Sequence, residues 1–168
     1  MSRIATSIVL LGLAAASGLA AADEAVDRKA LLAALPAAKI TLQQGLAASA
    51  ASGTPISAKF EIEDGHLQLS VYTQKDHAYS EVIVDHVSGK IGKTESISGG
   101  EDLAAAKSQG QSMTKANLTL HDAVTKAEEA QHGFHAVSAT PAMQKGHPVA
   151  KVLLQNGKTF KSVSEALD

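Results

Sequence analysis

The chain has no cysteine and no tryptophan, and only two tyrosines and three phenylalanines among its 168 residues. Without cysteine there is no disulfide framework, so we expect the fold to be held together by burial of apolar side chains alone. Aromatic residues make up 3% of the sequence, so the predicted core is built from Ala, Val, Leu and Ile. The absence of cysteine also removes thiolate metal ligands and the residue to which a lipid anchor would be attached.

Charge of either sign is also scarce. The formal net charge is −2, and this weakly acidic balance argues against nucleic acid and anionic membranes as partners. Long apolar runs are absent beyond residues 4–13. That run is shorter than the roughly 20 residues that a membrane-spanning helix needs.

The first 22 residues have the pattern of a secretory signal peptide. Ser2-Arg3 supplies a positive start, residues 4–13 an apolar stretch, and Ala20-Ala21-Ala22 a small-residue cleavage site. The alternative is an uncleaved anchor helix. Cleavage would leave 146 residues with a net charge of −3, enough for one medium domain or two small ones. We therefore expect a periplasmic or secreted protein without a stable membrane anchor.

The segment 23–39 is predicted to be a leader helix. Its apolar residues, including Val26, Leu31 and Leu35, recur at helical spacing, and the pattern stops near Pro36.

The rest of the sequence contains one pattern twice. Ile40-Thr41-Leu42 opens an Ala-rich helical run, and Leu118-Thr119-Leu120 opens another 78 positions later. Further along, Gly65-His66 matches Gly146-His147 at an offset of 81. These offsets indicate one small module that has been duplicated. A duplicated module without an obvious chemical motif favours a binding protein over an enzyme.

Each copy is predicted to be a helix packed on a short antiparallel β-meander, which makes the fold class α+β with two tandem modules. Module 1 spans 40–97 and module 2, which is abbreviated, spans 118–168, with a linker that holds one short helix at 98–117 between them. Capping boxes at Thr41 and Thr119 start the two helices. Alternating apolar residues predict strands at 56–62, 67–73, 79–84 and from Ile91, and again at 136–140, 149–154 and 159–163. A turn at Asn156-Gly157 is predicted to be shorter than its counterpart in module 1.

Module 1 resembles a PepSY domain. The resemblance is carried by residues 40–42, 56–61 and 69–72 and by the ending Val84-Asp85-His86-Val87-Ser88-Gly89-Lys90-Ile91, and it covers roughly a third of the chain. Module 2 is similar only loosely, because residues 164–168 stand where that ending belongs. In the ending, Asp85 can accept amides of the following turn and Gly89 can adopt the positive φ that closes it.

PepSY domains occur in propeptides of secreted metallopeptidases and in exported or membrane-bound bacterial proteins. The resemblance implies an exported, non-enzymatic binding protein that modulates peptidase activity, with a peptidase or an extended peptide as its partner. It implies no catalytic residue and no cofactor.

Seven histidines are the residues that suggest a metal site, and they support an alternative function as a His-based periplasmic metal-binding protein. His132 and His135 are three apart, but Gly133 is expected to end the helix between them. His66 and His147 occupy equivalent turns, and His77 and His86 flank the third strand. No His-Glu-x-x-His helix is present, so no metal ligand is predicted.

The carboxylates and serines give no catalytic prediction. Glu61 and Glu63 share one side of a strand, which we expect to face solvent. Glu128-Glu129 is expected on the solvent-exposed face of the second helix. No serine has the glycine pattern of a nucleophile elbow. Gly99-Gly100 lacks the Lys-Ser/Thr of a phosphate loop.

A short meander leaves open strand edges, to which an extended peptide can add by main-chain hydrogen bonds. We expect the open edge to lie next to strands 67–73 and 79–84. In the alternative, the two copies pair with or cover each other's edges, which leaves no edge for a peptide to bind.

Overall fold

The computed structural model describes residues 28–168. The predicted signal peptide at 1–22, and residues 23–27 of the predicted leader helix, lie outside the described residues. Residues 28–34 are helical (α1), and a 3-10 turn at Leu35–Ala37 follows with Pro36 in its first turn. This part of the leader segment is therefore helical, as predicted, and it ends at the proline.

Seven strands between residues 28 and 168 form one antiparallel sheet in the order β4-β3-β2-β1-β5-β6-β7. The strands are β1 Thr54–Glu63, β2 His66–Lys75, β3 Ala78–Val84, β4 Ile91–Ile97, β5 His135–Gln144, β6 His147–Gln155 and β7 Phe160–Ala166. The longer helices are α2 Leu42–Ser49, α3 Gly100–Met113 and α4 Leu120–Ala130. The α+β class and every predicted strand are confirmed, with longer strands than the sequence pattern indicated.

Tight turns set the register of two hairpins. Asp64 and Gly65 have φ of 49° and 79°, and Lys145 and Gly146 have φ of 52° and 90°. Positive φ at both central residues is the type I′ geometry, which matches the twist of the flanking strands and which Asp-Gly favours.

The turn at Asn156-Gly157 differs from its prediction. Gln155 pairs with Phe160 across a four-residue loop, whereas Lys75 pairs with Ala78 across two residues. The loop of the second hairpin is therefore longer than its counterpart, not shorter. The side chain of Asn156 stabilises it, because its Oδ1 accepts hydrogen bonds from the amides of residues 158 and 159 at 3.1 and 3.0 Å.

The two halves of the sheet meet at the β1–β5 pairing. Ala58 lies opposite Ala139, and these two residues are 81 positions apart, the same offset as the sequence repeat. An antiparallel pair of equivalent residues defines a local two-fold axis between the strands. Bulges at equivalent places, Ile56 and Val137, interrupt the pairing of β1 with β2 and of β5 with β6. The halves therefore form one continuous sheet.

Helices α2 and α4 cover one face of this sheet and enclose the main core. Both capping boxes are present: the Thr41 side chain accepts from the Gln44 amide, and Thr119 does the same with Asp122. Leu42 and Leu120, which directly follow the caps, are almost fully buried. The core joins both helices to both halves of the sheet and consists mainly of Ala, Val and Leu, as the composition predicts.

Helix α3 covers part of the opposite face. Ile56, Tyr72 and Ala106 form a second, smaller cluster there. The prediction of a linker with one short helix at 98–117 missed the length and packing of this 14-residue helix. It approaches the sheet through a small residue, since a Cβ on Gly110 would lie 2.4 Å from Gln74 Oε1. Ala and Gly make this contact, so the sequence shows no strong apolar stripe.

Each half also has a backbone clamp that fixes the entry to its capped helix. The amides of Lys39 and Ile40 both donate to the His86 carbonyl, at 2.8 and 3.2 Å. Residues 117 and 118 donate in the same way to the Leu167 carbonyl, at 2.6 and 3.0 Å. The donors are 78 positions apart and the acceptors 81, which are the offsets of the sequence repeat. The chain before each helix is thereby tied to the end of the third strand of its half.

Because the sheet and the main core are continuous, we expect unfolding to be a single cooperative transition. Both tyrosines, Tyr72 and Tyr79, lie in the first half, whereas the fully buried Leu154 lies in β6. Leu154→Ala should lower the free energy of unfolding by about 2–5 kcal/mol. Urea denaturation followed by tyrosine fluorescence should show this loss in full, and far-UV circular dichroism should give the same midpoint. An unchanged tyrosine midpoint would mean that the halves unfold independently.

Candidate functional site

The most distinctive concave site is an acidic cleft beside the N-terminus of α3, on the α3 face of the sheet. It is an open cleft of about 390 Å³. Its lining includes Tyr72, Glu81, Glu95, Ile97, Gly99 and Asp102. Strands β2, β3 and β4 position the first four of these residues, and the start of α3 positions the last two.

A buried tyrosine–carboxylate pair forms the floor of the acidic cleft. Tyr72 and Glu81 are 3% and 4% exposed, and the Tyr72 hydroxyl donates to Glu81 Oε1 at 3.1 Å. Burial raises the pKa of Glu81, although the neighbouring Ser70 and Tyr72 hydroxyls oppose the shift. Burial, followed by the neighbouring Glu81 charge, raises the pKa of Tyr72 far above its ordinary value. Tyr72 is therefore a neutral hydrogen-bond donor at every physiological pH.

A polar network continues from the pair along β1 and β2. Lys59 Nζ lies 2.5 Å from Glu61 Oε2 and 5.8 Å from the centre of the Tyr72 ring. Ser70 Oγ donates to Glu61 Oε1 at 2.7 Å. The Glu61 side chain is only 16% exposed, so the expectation of a solvated carboxylate is wrong for this residue. Glu63 is also half-buried, and burial together with Glu61 raises its pKa.

The acidic cleft presents mainly hydrogen-bond acceptors. The carboxylates of Glu81, Glu95 and Asp102 line it, and of these Glu95 is paired with Lys93 at 2.8 Å. Carboxylate oxygens accept from ammonium, guanidinium and amide donors. The arrangement is therefore suited to recognition of a donor-rich group.

Strand β4 borders the acidic cleft and is the outermost strand on this side of the sheet. The Lys75–Ala78 pair flanks a two-residue turn and is hydrogen-bonded, so alternate residues of β3 bond to β2 and to β4. Residues 93, 95 and 97 consequently bond to β3, and the backbone groups of residues 94 and 96 point outward, whereas Gly92 lies at an irregularity in the β3–β4 register. Within residues 28–168, no strand lies on the outer side of β4.

The expected position of the open edge is right for one strand and wrong for the other: the open strand β4 lies directly beside strand 79–84 (β3), as expected, whereas strand 67–73 (β2) does not border it. Strand β2 lies inside the sheet, and β4 covers the outer side of β3. The two halves of the sheet do pair through β1 and β5, as in the alternative, but β4 and β7 remain open edges, so the expectation that nothing is left to bind is wrong. The sequence pattern could not show this, because alternation identifies a strand without its neighbours.

The histidines that suggested a metal site do not converge. His132 lies in the turn after α4 and His135 is the first residue of β5, and both are exposed. His147 Nδ1 is 2.5 Å from Asp168 Oδ2 at the surface, which lowers the pKa of Asp168. Among the described residues, no group of three His, Asp or Glu side chains is placed to hold a metal ion.

Three further histidines flank strands, and one of the predicted surface glutamates has a structural role. His66 begins β2, His77 lies in the β2–β3 turn, and His86 follows β3 with its carbonyl in the clamp. Glu128 is half-buried and accepts from Gln43 Nε2 at 2.9 Å and from the amide of residue 136 at 2.6 Å. Glu128 therefore joins α4 to α2 and to β5. Of the pair Glu128-Glu129, which was expected to face solvent, Glu129 alone is fully exposed.

The turn at residues 85–89 has the predicted geometry. Asp85 Oδ1 accepts from the amides of Val87 and Ser88 at 3.1 and 2.6 Å, and Gly89 has φ of 73°. These hydrogen bonds, with that from Ser88 the largest contribution, lower the pKa of Asp85. The ending therefore stabilises the turn into β4.

A second cavity has an apolar lining and was not predicted. It is a groove of about 460 Å³ between the end of α2, the start of β1 and the segment between α3 and α4. Leu46, Pro55, Met113 and Leu118 contribute to its walls. Both this groove and the acidic cleft depend on the path of α3, so the missed helix concealed both cavities.

No protein-family model matches the chain, and neither a curated protein nor a solved structure is similar enough to count as a match. Among residues 28–168, the helices are too short or too polar to span a membrane.

The buried carboxyl of Glu81 predicts a specific pH dependence of stability. Its pKa in the folded state is raised above the ordinary value of 4.5, so the folded state binds its proton more tightly than the unfolded state does. Stability from this group is therefore present below pH 4.5 and is lost as the pH rises through the raised value. Glu81→Gln keeps an acceptor for Tyr72 and cannot ionise.

We expect Glu81→Gln to be more stable than the wild type at pH 7, with the difference shrinking toward pH 4. The midpoints of urea denaturation of both proteins at pH 4, 5, 6 and 7 measure this difference in stability. Thr94→Ala, a change at an exposed residue that does not titrate, should shift the midpoint equally at each pH. Parallel profiles for Glu81→Gln and the wild type would contradict the assignment.

Proposed function

We propose that the chain is an exported, non-enzymatic binding protein with two tandem PepSY-like modules, which binds an extended peptide segment and modulates a peptidase outside the cytoplasm. The signal-peptide pattern at residues 1–22 supports export. The resemblance of residues 40–92 to PepSY domains supports the peptidase as the class of partner.

Four recurring features support the tandem modules. Capping boxes and clamp donors recur at an offset of 78, and clamp acceptors, β-bulges and type I′ turns recur at an offset of 81. Each is a local backbone feature with its own sequence cause. Their recurrence in the same order supports two copies of one unit, joined at Ala58 and Ala139.

The single observation that carries the proposed binding function is the open edge of β4 beside the acidic cleft. The outward backbone groups of Thr94 and Ser96 can form a ladder with an added strand, as in β-augmentation. Main-chain hydrogen bonds then supply affinity, and alternate side chains of the peptide supply specificity. Those that face the acidic cleft lie on the side of its more exposed carboxylates, Glu95 and Asp102, which favour lysine or arginine.

Labelled nonapeptides that alternate valine with lysine or valine with glutamate test this site. The lysine peptide should bind the full chain more tightly, by fluorescence anisotropy, and its affinity should fall as salt is added. Thr94→Pro removes an outward amide without breaking the ladder to β3, so binding should weaken about tenfold or more. Thr94→Ala is the matched control and should bind as the wild type does.

Equal binding by Thr94→Pro and Thr94→Ala would exclude the β4 edge. The modulating role is tested separately, by the rate at which a secreted metallopeptidase hydrolyses a peptide substrate. The wild-type chain should change that rate and Thr94→Pro should not. If neither protein changes the rate of any peptidase tested, the regulatory part of the proposal fails and peptide binding stands alone.

A further inference from the structure

The opposite edge of the sheet, β7, also has outward backbone groups, and the structure fixes which residues carry them. The Leu167 amide donates to the Pro148 carbonyl at 3.0 Å, and the β6–β7 register continues without a bulge. Hydrogen-bonded pairs alternate along an antiparallel ladder. Residues 161, 163 and 165 therefore bond to β6, and the groups of Phe160, Ser162 and Ser164 point away from the sheet.

In the first half of the chain, the equivalent position is occupied. Residues 79, 81 and 83 of β3 bond to residues 97, 95 and 93 of β4. At the offset of 81, these β3 residues correspond to Phe160, Ser162 and Ser164. The outward groups of β7 are thus the counterparts of those that hold β4, and within residues 28–168 no strand lies beside them.

The surroundings of the two third strands also correspond. Val82 of β3 and Val163 of β7 both pack against the main core, and the clamps at His86 and Leu167 fix the ends of both strands. The second half is therefore built like the first up to and including its third strand. The second half differs from the first where the first half has its fourth strand, β4.

We infer that β7 is an acceptor for an extended segment of a partner polypeptide, which runs antiparallel to β7 in the place that β4 takes beside β3. The β3–β4 register gives the chemistry of the segment. Ile97 lies opposite Tyr79, so an apolar side chain is expected opposite Phe160. Polar or charged side chains are expected opposite Ser162 and Ser164, as Glu95 and Lys93 lie opposite Glu81 and Ile83. This site is separate from the β4 edge of the proposed function.

A second copy of the chain is a poorer occupant than a foreign segment. Pairing β4 of one copy with β7 of the next would be head-to-tail, and such a contact builds a ring or an open filament instead of a two-fold dimer. Exposed charges lie on both edges, including Lys93 on β4 and Lys161 on β7. Natural sheets use such charges against edge-to-edge association.

A synthetic peptide with the sequence of residues 90–98 is the probe, added to the full chain labelled with ¹⁵N. Binding should shift the amide signals of Ser162 and Ser164 and slow their exchange with solvent. Ser164→Pro removes an outward amide and spares the ladder to β6, so affinity should fall about tenfold or more. Ser164→Ala should bind as the wild type does, and so should Thr94→Pro, because β4 is not the acceptor.

Three results would overturn the inference: no binding of the peptide, equal binding by Ser164→Pro and Ser164→Ala, or loss of binding in Thr94→Pro with shifts confined to β3 and β4. The last result would favour the β4 edge and leave the proposed function intact. Analytical ultracentrifugation tests whether copies of the chain associate with one another. Polymers of the wild type that Ser164→Pro disperses would make a second copy the occupant and exclude a foreign segment.

Discussion

The pairing of β1 with β5 is the interaction on which the rest of the structure depends. It places Ala58 against Ala139 and converts two short meanders into one sheet. The chain is poor in aromatic residues, so the core depends on many aliphatic side chains that both meanders contribute. Once the strands are joined, α2 and α4 lie side by side over a shared core, and Gln43 of one helix contacts Glu128 of the other. The residues at the join between β1 and β5, Ala58 and Ala139, are both small.

The same pairing determines where the molecule can meet other molecules. It uses one side of each meander, so the other sides become the two ends of the sheet. Strand β4 is one end and β7 is the other. The ends are unequal, because the first half has four strands and the second has three. A single molecule therefore presents two edges of different chemistry, one bordered by the acidic cleft and one that lacks a fourth strand.

Local features of the fold could be predicted from the sequence, and long-range ones could not. The caps at Thr41 and Thr119, the turn at Gly65 and the geometry of Asp85 depend on neighbouring residues, and all are as predicted. Helix α3 was missed because Gly110 and its neighbours make its contacts through small side chains. The acidic cleft was missed with it, since its residues come from three strands and a helix. The strand order and the second open edge at β7 could not be predicted, because alternation does not encode which strands are neighbours.

The join between the halves has a consequence for the order of folding. Most contacts within each half connect residues that are near in sequence, such as the hairpins β1–β2 and β5–β6. The Ala58–Ala139 pair closes a loop of 81 residues, and long loops cost more chain entropy to close. The hairpins therefore form early and the join late. Before the β1–β5 pair forms, both strands expose edges that are complementary to each other. Strand β1 of one chain can then pair with β5 of a second chain. The symmetry that completes the sheet thus also creates the route to a domain-swapped dimer.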